Sequence, residues 1–173
     1  MKVAKIKTLL KSSKFNQVSA VQGWVKTFRA NRFISLNDGS SLENLQCVVD
    51  FDSLEESFIK RITSGAALHL EGTLVKSQGS GQTIELQVKK IKIYGDSDPE
   101  KYPIQPKKHS LEFLREKAHL RIRTSTFAAV MRVRSALSFA VHKFFQEKGF
   151  FYVNTPIITG SDAEGAGEMF RVT

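Results

Sequence analysis

Two groups of side chains in this sequence are of a kind that binds or reacts. The first is Phe33, Gln46, Arg29 and Arg32: a ring, a carboxamide and two guanidiniums set close together in the chain. Such a set suits single-stranded RNA, because the ring stacks on an unpaired base, the amide pairs with a base edge, and guanidiniums hold phosphate or base oxygens. The second is the carboxylates Asp162, Glu164 and Glu168 in GSDAEGAGEMFRVT (160–173). Ala163, Gly165, Ala166 and Gly167 beside them give freedom to move, and an ionised carboxylate is an acceptor-only partner for N–H donors. Taken alone, that stretch is a flexible acidic turn. The sequence holds no nucleophile–base pair, glycine-rich phosphate loop or metal-binding cluster. Its single cysteine, Cys47, excludes an internal disulfide and argues against zinc, and His69, His109, His119 and His142 lack ligand spacing. A reducing, cytoplasmic setting is expected.

The first group must be positioned by β-structure. From Gln17 to Tyr94 short period-two runs alternate with Asn, Asp, Gly and Ser clusters, which predicts strands at 17–29, 32–37, 45–50, 66–76 and 83–94. A helical insert is expected near 53–63, a short lead-in at 5–12, and turns at DG (38–39) and GSG (79–81). Five strands with a helix between the third and fourth is the order of an OB-fold barrel, so the fold class is a mostly β N-terminal domain. Parity assigns the faces. Ile34 and Leu36 point to the core and Phe33 away from it; Leu45, Cys47 and Val49 point in and Gln46 out. Ile84, Leu86 and Val88 face in, and then Ile91 and Ile93 on the opposite parity, which predicts a β-bulge. Trp24 and Val25 are both bulky, so the first strand's faces stay open. Two readings of the pattern remain: Phe33 and Gln46 bind a base, or Phe33 caps the barrel end and Gln46 is merely exposed.

Residues 95–110 hold three of the four prolines and read as a linker. A short helix or turn and a basic strand-like run follow at 111–123. Lys107, Lys108, Arg115, Arg121 and Arg123 in this zone fit a solvated face at least as well as a binding one. Then TSTFAAVMRVRSALSFAVHKFFQEK (124–148) has helical period, with Phe127, Val130, Met131, Val133, Leu137, Val141, Phe144 and Phe145 on one face. Thr124 or Ser125 can cap its start, and Gly149 is the expected left-handed stop. A strand ending in Pro156 is expected next. Phe139 lies off the apolar stripe, which suggests a second partner for the helix or a partly exposed ring. The expected parts are therefore a barrel (1–94), a linker (95–123), and the start of an α+β domain (124–173).

The whole chain has 173 residues and a formal net charge of +9, with 14 Lys and Arg against 8 Asp and Glu in residues 1–94. An excess of that size in a small β-rich segment points to a polyanion or to a solvated basic surface. No apolar run approaches the ~20 residues of a membrane span, and MKVAKIKTLLKS lacks the apolar core of a signal peptide.

Several stretches resemble the class II aminoacyl-tRNA synthetases of the aspartyl, asparaginyl and lysyl subgroup. Lys148, Gly149, Phe150, Val153 and Pro156 are similar to motif 1, which implies a homodimer interface through Phe139, Gly149, Phe150 and Pro156. GWVKTFR (23–29), RFISLNDGS (32–40) and LQCVVD (45–50) resemble the subgroup's anticodon-binding barrel. The resemblance implies that Phe33 stacks on the central anticodon base, that Gln46 hydrogen-bonds it, and that Arg29 assists. GSDAEGAGEMFRVT resembles the mobile substrate loop of the asparaginyl branch, not the aspartyl loop with its Pro-Glu-Gly-Ala-Arg. Glu164 would then meet the α-ammonium of the amino acid, with Ser161 and Glu168 in the same shell. What this implies is an N-terminal portion of an enzyme that activates asparagine with ATP and magnesium and passes it to tRNA(Asn). Motifs 2 and 3 are not in these residues, so catalysis, and binding of ATP or a metal, is not expected of this stretch alone. The competing expectations are a free-standing OB-fold single-stranded nucleic-acid-binding protein with a dimerisation helix, and an aspartyl enzyme accepting both tRNAs.

Overall fold

The computed structural model describes residues 2–30, 32–50, 54–79, 81–158, 160 and 170. Period-two alternation in the N-terminal half becomes five strands: β1 (Gln17–Arg29), β2 (Phe33–Asn37), β3 (Leu45–Val48), β4 (Ala67–Lys76) and β5 (Ile84–Gly95). They close into a barrel in the order β1-β2-β3-β5-β4. All neighbours run antiparallel except β3 and β5, which pair in parallel through Gln46–Glu85, Cys47–Leu86 and Val48–Gln87. Closure gives every strand a paired neighbour on both sides along part of its length. Its interior is filled from every strand: Val21, Val25, Ile34, Leu36, Leu45, Cys47, Leu68, Leu70, Leu74, Ile84 and Leu86 are each at most 2% exposed. Burying an aliphatic side chain of this size contributes roughly 1.5–3 kcal/mol, so this set dominates the stability.

Bulges bend the strands. Opposite β4, Glu71 pairs with Lys90 and Gly72 with Val88, so Lys89 is the extra residue. This is the phase change expected between Val88 and Ile91, and it lets Ile91 and Ile93 pack against the core from the other parity. Gly72 sits at this crossing because a Cβ there would lie 2.1 Å from the Gln87 carbonyl oxygen. A second bulge settles β1: Val25 pairs with Leu36 and Thr27 with Ser35, leaving Lys26 extra. Val25 is buried, and Trp24 is 37% exposed.

The lead-in forms α1 (Ile6–Leu10), which buries Ile6 and Leu9. Its start is tied to the β2–β3 loop, where Ile6 N–H donates to Asp38 Oδ2 (3.0 Å) and Lys7 N–H to Ser40 Oγ (2.9 Å). The insert between β3 and β4 is shorter than its pattern predicts, one turn of helix, α2 (Glu56–Ile59). Beyond β5 the proline-rich segment packs on the barrel. Asp96 takes two hydrogen bonds from Arg61 (2.8 and 2.9 Å), Thr63 Oγ1 donates to the Ser97 carbonyl (2.5 Å), and Ile104 is 8% exposed. Helix α3 (Leu111–Glu116) follows, with Ser110 Oγ accepting from Phe113 N–H as its N-cap and Leu114 buried. The run expected to be strand-like is a 3-10 turn instead, Arg121–Arg123. Arg123 lays its guanidinium 3.7 Å over the Trp24 ring, and Lys26 Nζ donates to the Arg123 carbonyl. Those contacts need a turn; an extended run would carry Arg123 away from β1.

The chain divides into two compact units, 1–131 and 132–173. Helix α4 (Ser125–Glu147) starts in the first, where Thr124 Oγ1 accepts from Phe127 N–H at 3.3 Å. Its end is a Schellman motif: Gly149 at φ +83° donates to the Gln146 carbonyl (3.0 Å) and Phe150 to the Phe145 carbonyl (3.1 Å). The Phe145 and Phe150 rings meet edge-on at 5.5 Å, the apolar contact that accompanies this cap. The strand expected after Gly149 is not formed: residues 150–156 have no ladder. A strand needs a neighbour for its N–H and C=O groups, and among the described residues none is offered.

Candidate nucleic-acid interface

Alternation along β2 sends Ile34 and Leu36 inward and leaves Phe33, Ser35 and Asn37 half-buried on the outer surface. On β3, Leu45 and Cys47 go in, and Gln46 and Val48 stay half-buried outside. Phe33 is opposite Val48 and Ser35 opposite Gln46, so Phe33 and Gln46 are diagonal neighbours on one face. Parity anticipated both positions. It did not place Arg29. Counting by twos from the buried Val25 would turn Arg29 inward, but the bulge at Lys26 resets the count. Phe28 then pairs with Ile34 and packs against the core, and Arg29 pairs with Phe33 on the outer face. One extra residue thereby brings Arg29, Phe33 and Gln46 together.

The turn that carries Arg32 is held by its backbone. Arg32 N–H donates to the Arg29 carbonyl (3.1 Å), Val49 N–H donates to the Arg32 carbonyl (2.9 Å), and Ala30 takes φ +51°. Arg29 and Arg32 both remain exposed to water. Behind this face the Cys47 thiol is fully buried; desolvation pushes its pKa far above the usual thiol range, so it is a filler of the core and not a nucleophile. The parallel pairing with β5 adds residues that sequence reasoning did not single out: Glu85 stands beside Gln46 and Gln87 beside Val48. Parity alone would have shown them facing out; which strand they adjoin is a non-local matter. With Ser35, they give the face hydrogen-bonding groups of both kinds flanked by two arginines. It can hold an aromatic ring flat, meet a polar ring edge and attract phosphate.

The remaining expected site residues stand apart. Phe139, Phe150 and Pro156 are exposed and Gly149 ends α4. Ser161, Glu164 and Glu168 lie outside the described residues. Among the described residues no group of three or more His, Cys, Asp or Glu is placed to hold a metal ion, and no helix is long and apolar enough to cross a membrane.

Residues 20–94 match the family described as OB-fold nucleic acid binding domain, and residues 110–173 match class II tRNA synthetases (D, K and N). The chain is 53% identical over its whole length to an asparagine–tRNA ligase of Parabacteroides distasonis, and 54% identical to one of Cytophaga hutchinsonii. It spans 38% of the length of these relatives. Among solved structures, asparaginyl-tRNA synthetase from Pyrococcus horikoshii complexed with asparaginyl-adenylate superposes with a TM-score of 0.80 at 22% identity, covering 96% of this chain and 39% of that one. The Entamoeba histolytica asparaginyl-tRNA synthetase in complex with asparaginyl-adenylate gives 0.74 at 23% identity, covering 87% of this chain and 37% of that one. At such identities the structures support the fold alone.

Proposed function

We infer the role of this chain from its membership: it belongs to the class II tRNA synthetases of the D, K and N group, and matches the anticodon-binding part of asparagine–tRNA ligases and the opening of their catalytic domain. The proposed function is recognition of the anticodon loop of tRNA(Asn) by the barrel. One observation carries it: Phe33, Gln46 and Arg29 stand on a single outer face, an arrangement that core packing does not require. Phe33 stacks on the central anticodon base, Gln46 hydrogen-bonds its edge, and Arg29 holds phosphate or a base oxygen.

The functional parts we propose are the barrel (1–94), a connecting segment (95–123), and the start of the catalytic domain (124–173). In a longer protein of which this stretch is part, the activity is activation of asparagine with ATP and magnesium and transfer to tRNA(Asn), in the cytoplasm, by a homodimer. Glu164 would meet the substrate ammonium with Ser161 and Glu168 nearby, and Phe139, Gly149, Phe150 and Pro156 would lie at the dimer interface. Motifs 2 and 3 are not in this sequence, so ATP and magnesium are assigned to parts that these residues do not cover. The 173 residues by themselves should therefore show no asparagine-dependent ATP–pyrophosphate exchange. Exchange above background in a pure sample would refute that assignment. A free-standing nucleic-acid-binding protein is not favoured, because identity to the ligases runs through the helix and loop as well as the barrel. The GAGEMF sequence at 165–170 disfavours an aspartyl enzyme.

The test is fluorescence anisotropy with an anticodon stem-loop. Base–aromatic stacking contributes roughly 1–3 kcal/mol, so Phe33→Ala should weaken binding about 5- to 150-fold without unfolding the barrel. Unchanged affinity, or loss of the fold as for a core residue, would sink the reading.

A further inference from the structure

The N-terminal segment carries Lys2, Lys5, Lys7, Lys11 and Lys14, with no acidic residue before Asp38. Its position is set by the fold. Ile6 and Leu9 of α1 are buried in the barrel and Leu10 packs against it, while Lys7, Lys11 and Lys14 stay exposed. Lys7, Thr8, Lys11, Ser12, Ser13 and Lys14 line one open depression. Backbone hydrogen bonds from Ile6 and Lys7 to Asp38 and Ser40 hold this depression at the end of β2. Gln46 is opposite Ser35, three residues before Asp38, which is roughly 10 Å along the strand.

We propose that Lys7, Lys11 and Lys14 form a second RNA-contact surface, one that holds backbone phosphates beyond the bases read at Phe33 and Gln46. This rests on the anticodon-binding reading above. Two features favour RNA over an anionic membrane. The helix has spent its apolar side chains, Ile6, Leu9 and Leu10, on the barrel and keeps none to insert into lipid. The segment that lines the depression is also tied, through Ile6 and Lys7, to the loop just beyond the end of the strand that carries Phe33. Lysine side chains contact phosphate as point charges and carry no base information, so their part is register and affinity, not discrimination.

The experiment measures stem-loop affinity across a salt series for the 173-residue chain, with U or C at the central anticodon position. The variants are Lys7→Gln/Lys11→Gln/Lys14→Gln, Phe33→Ala, and a charge-matched control, Lys89→Gln/Lys90→Gln/Lys92→Gln, on β5. Thermal unfolding of each checks the fold. Each phosphate contact on a single strand contributes about 0.7 to the slope of log K against log salt, so the first triple variant should lower that slope by about 2. Its U-to-C ratio should stay that of the parent. Phe33→Ala should lose affinity with little change in slope. An unchanged slope in the first triple, or an equal fall in the β5 control, overturns the phosphate surface. Either result leaves the anticodon reading standing if Phe33→Ala still weakens binding. A fall in slope confined to the first triple with no effect of Phe33→Ala keeps the surface and removes that reading. Capture by phosphatidylserine vesicles that the first triple abolishes, with RNA binding intact, also overturns the proposal.

Discussion

Gln46 offers one carbonyl oxygen and one NH₂ from a rigid strand, a donor and an acceptor that can meet the edge of uracil together. Cytosine presents the reverse order, which the amide meets only after a 180° flip, so a preference for U requires that the amide's orientation be held. Gln46→Ala should therefore narrow the preference for U over C at the central anticodon position, with a smaller loss of total affinity than Phe33→Ala. Arg29 is exposed beside Phe33, so the part we propose for it is electrostatic. Arg29→Ala should reduce the salt slope. The same anisotropy titrations, with U- and C-bearing stem-loops at two salt concentrations, read both effects. If Gln46→Ala leaves the U-to-C ratio untouched, the amide is not reading the base. The difference between the two residues is one of legibility: Gln46 follows from alternation within four residues, whereas Arg29 faces outward only because of the extra Lys26.

At the scale of elements, α1 is joined to the β2–β3 loop through the Asp38 carboxylate and the Ser40 hydroxyl. Asp38 accepts from Ile6 N–H (3.0 Å), Ser40 N–H (2.9 Å) and Ser40 Oγ–H (2.6 Å). Burial works against its charged form, but the Ser40 and Ile6 hydrogen bonds and the nearby Lys5 outweigh it, and the pKa lies below the ordinary aspartate value. A depressed folded-state pKa means stabilisation that is fully present above the unfolded value, about 3.9, and is lost as pH falls through the folded value. Asp38→Ala should cost about 1 kcal/mol at neutral pH, since part of the carboxylate is in water, and the cost should shrink below about pH 4. Urea titrations of both proteins at the two pH values check this. A penalty that persists unchanged in acid would mean that the charge is not what holds α1. Amide exchange at Ile6 should also quicken in the variant.

For the molecule as a whole, α4 carries an uncovered apolar face. Val133, Leu137, Val141 and Phe144 are each more than half exposed, as is the off-stripe Phe139 at 70%. A face of this kind rarely stays open to water in a soluble monomer, because covering it releases apolar surface from solvent. The 173-residue chain should self-associate in a concentration-dependent way by sedimentation velocity, and Leu137→Asp/Phe139→Asp should shift it toward monomer while the barrel stays folded. A monodisperse monomer across the micromolar range would count against this. The strand missing after Gly149 belongs to the same account, because its backbone partners and the cover for α4 would both come from surface that the described residues do not offer.

The sequence by itself determined whatever depends on neighbours within a few residues. It set the five strands and, outside the first, their faces, the bulge between Val88 and Ile91, a cap at Thr124 or Ser125 and the Gly149 stop of α4, and the outward positions of Phe33 and Gln46. These are legible because alternation, capping and left-handed glycine are local properties of the chain. Tertiary structure decided the rest. It placed β5 parallel to β3 and so set Glu85 beside Gln46, seated Lys26 in a bulge and so turned Arg29 outward, and folded the basic run at 121–123 into a turn that stacks Arg123 on Trp24. Each of these is a pairing between residues far apart in sequence, fixed by barrel closure and the packing of its interior. No local period encodes them.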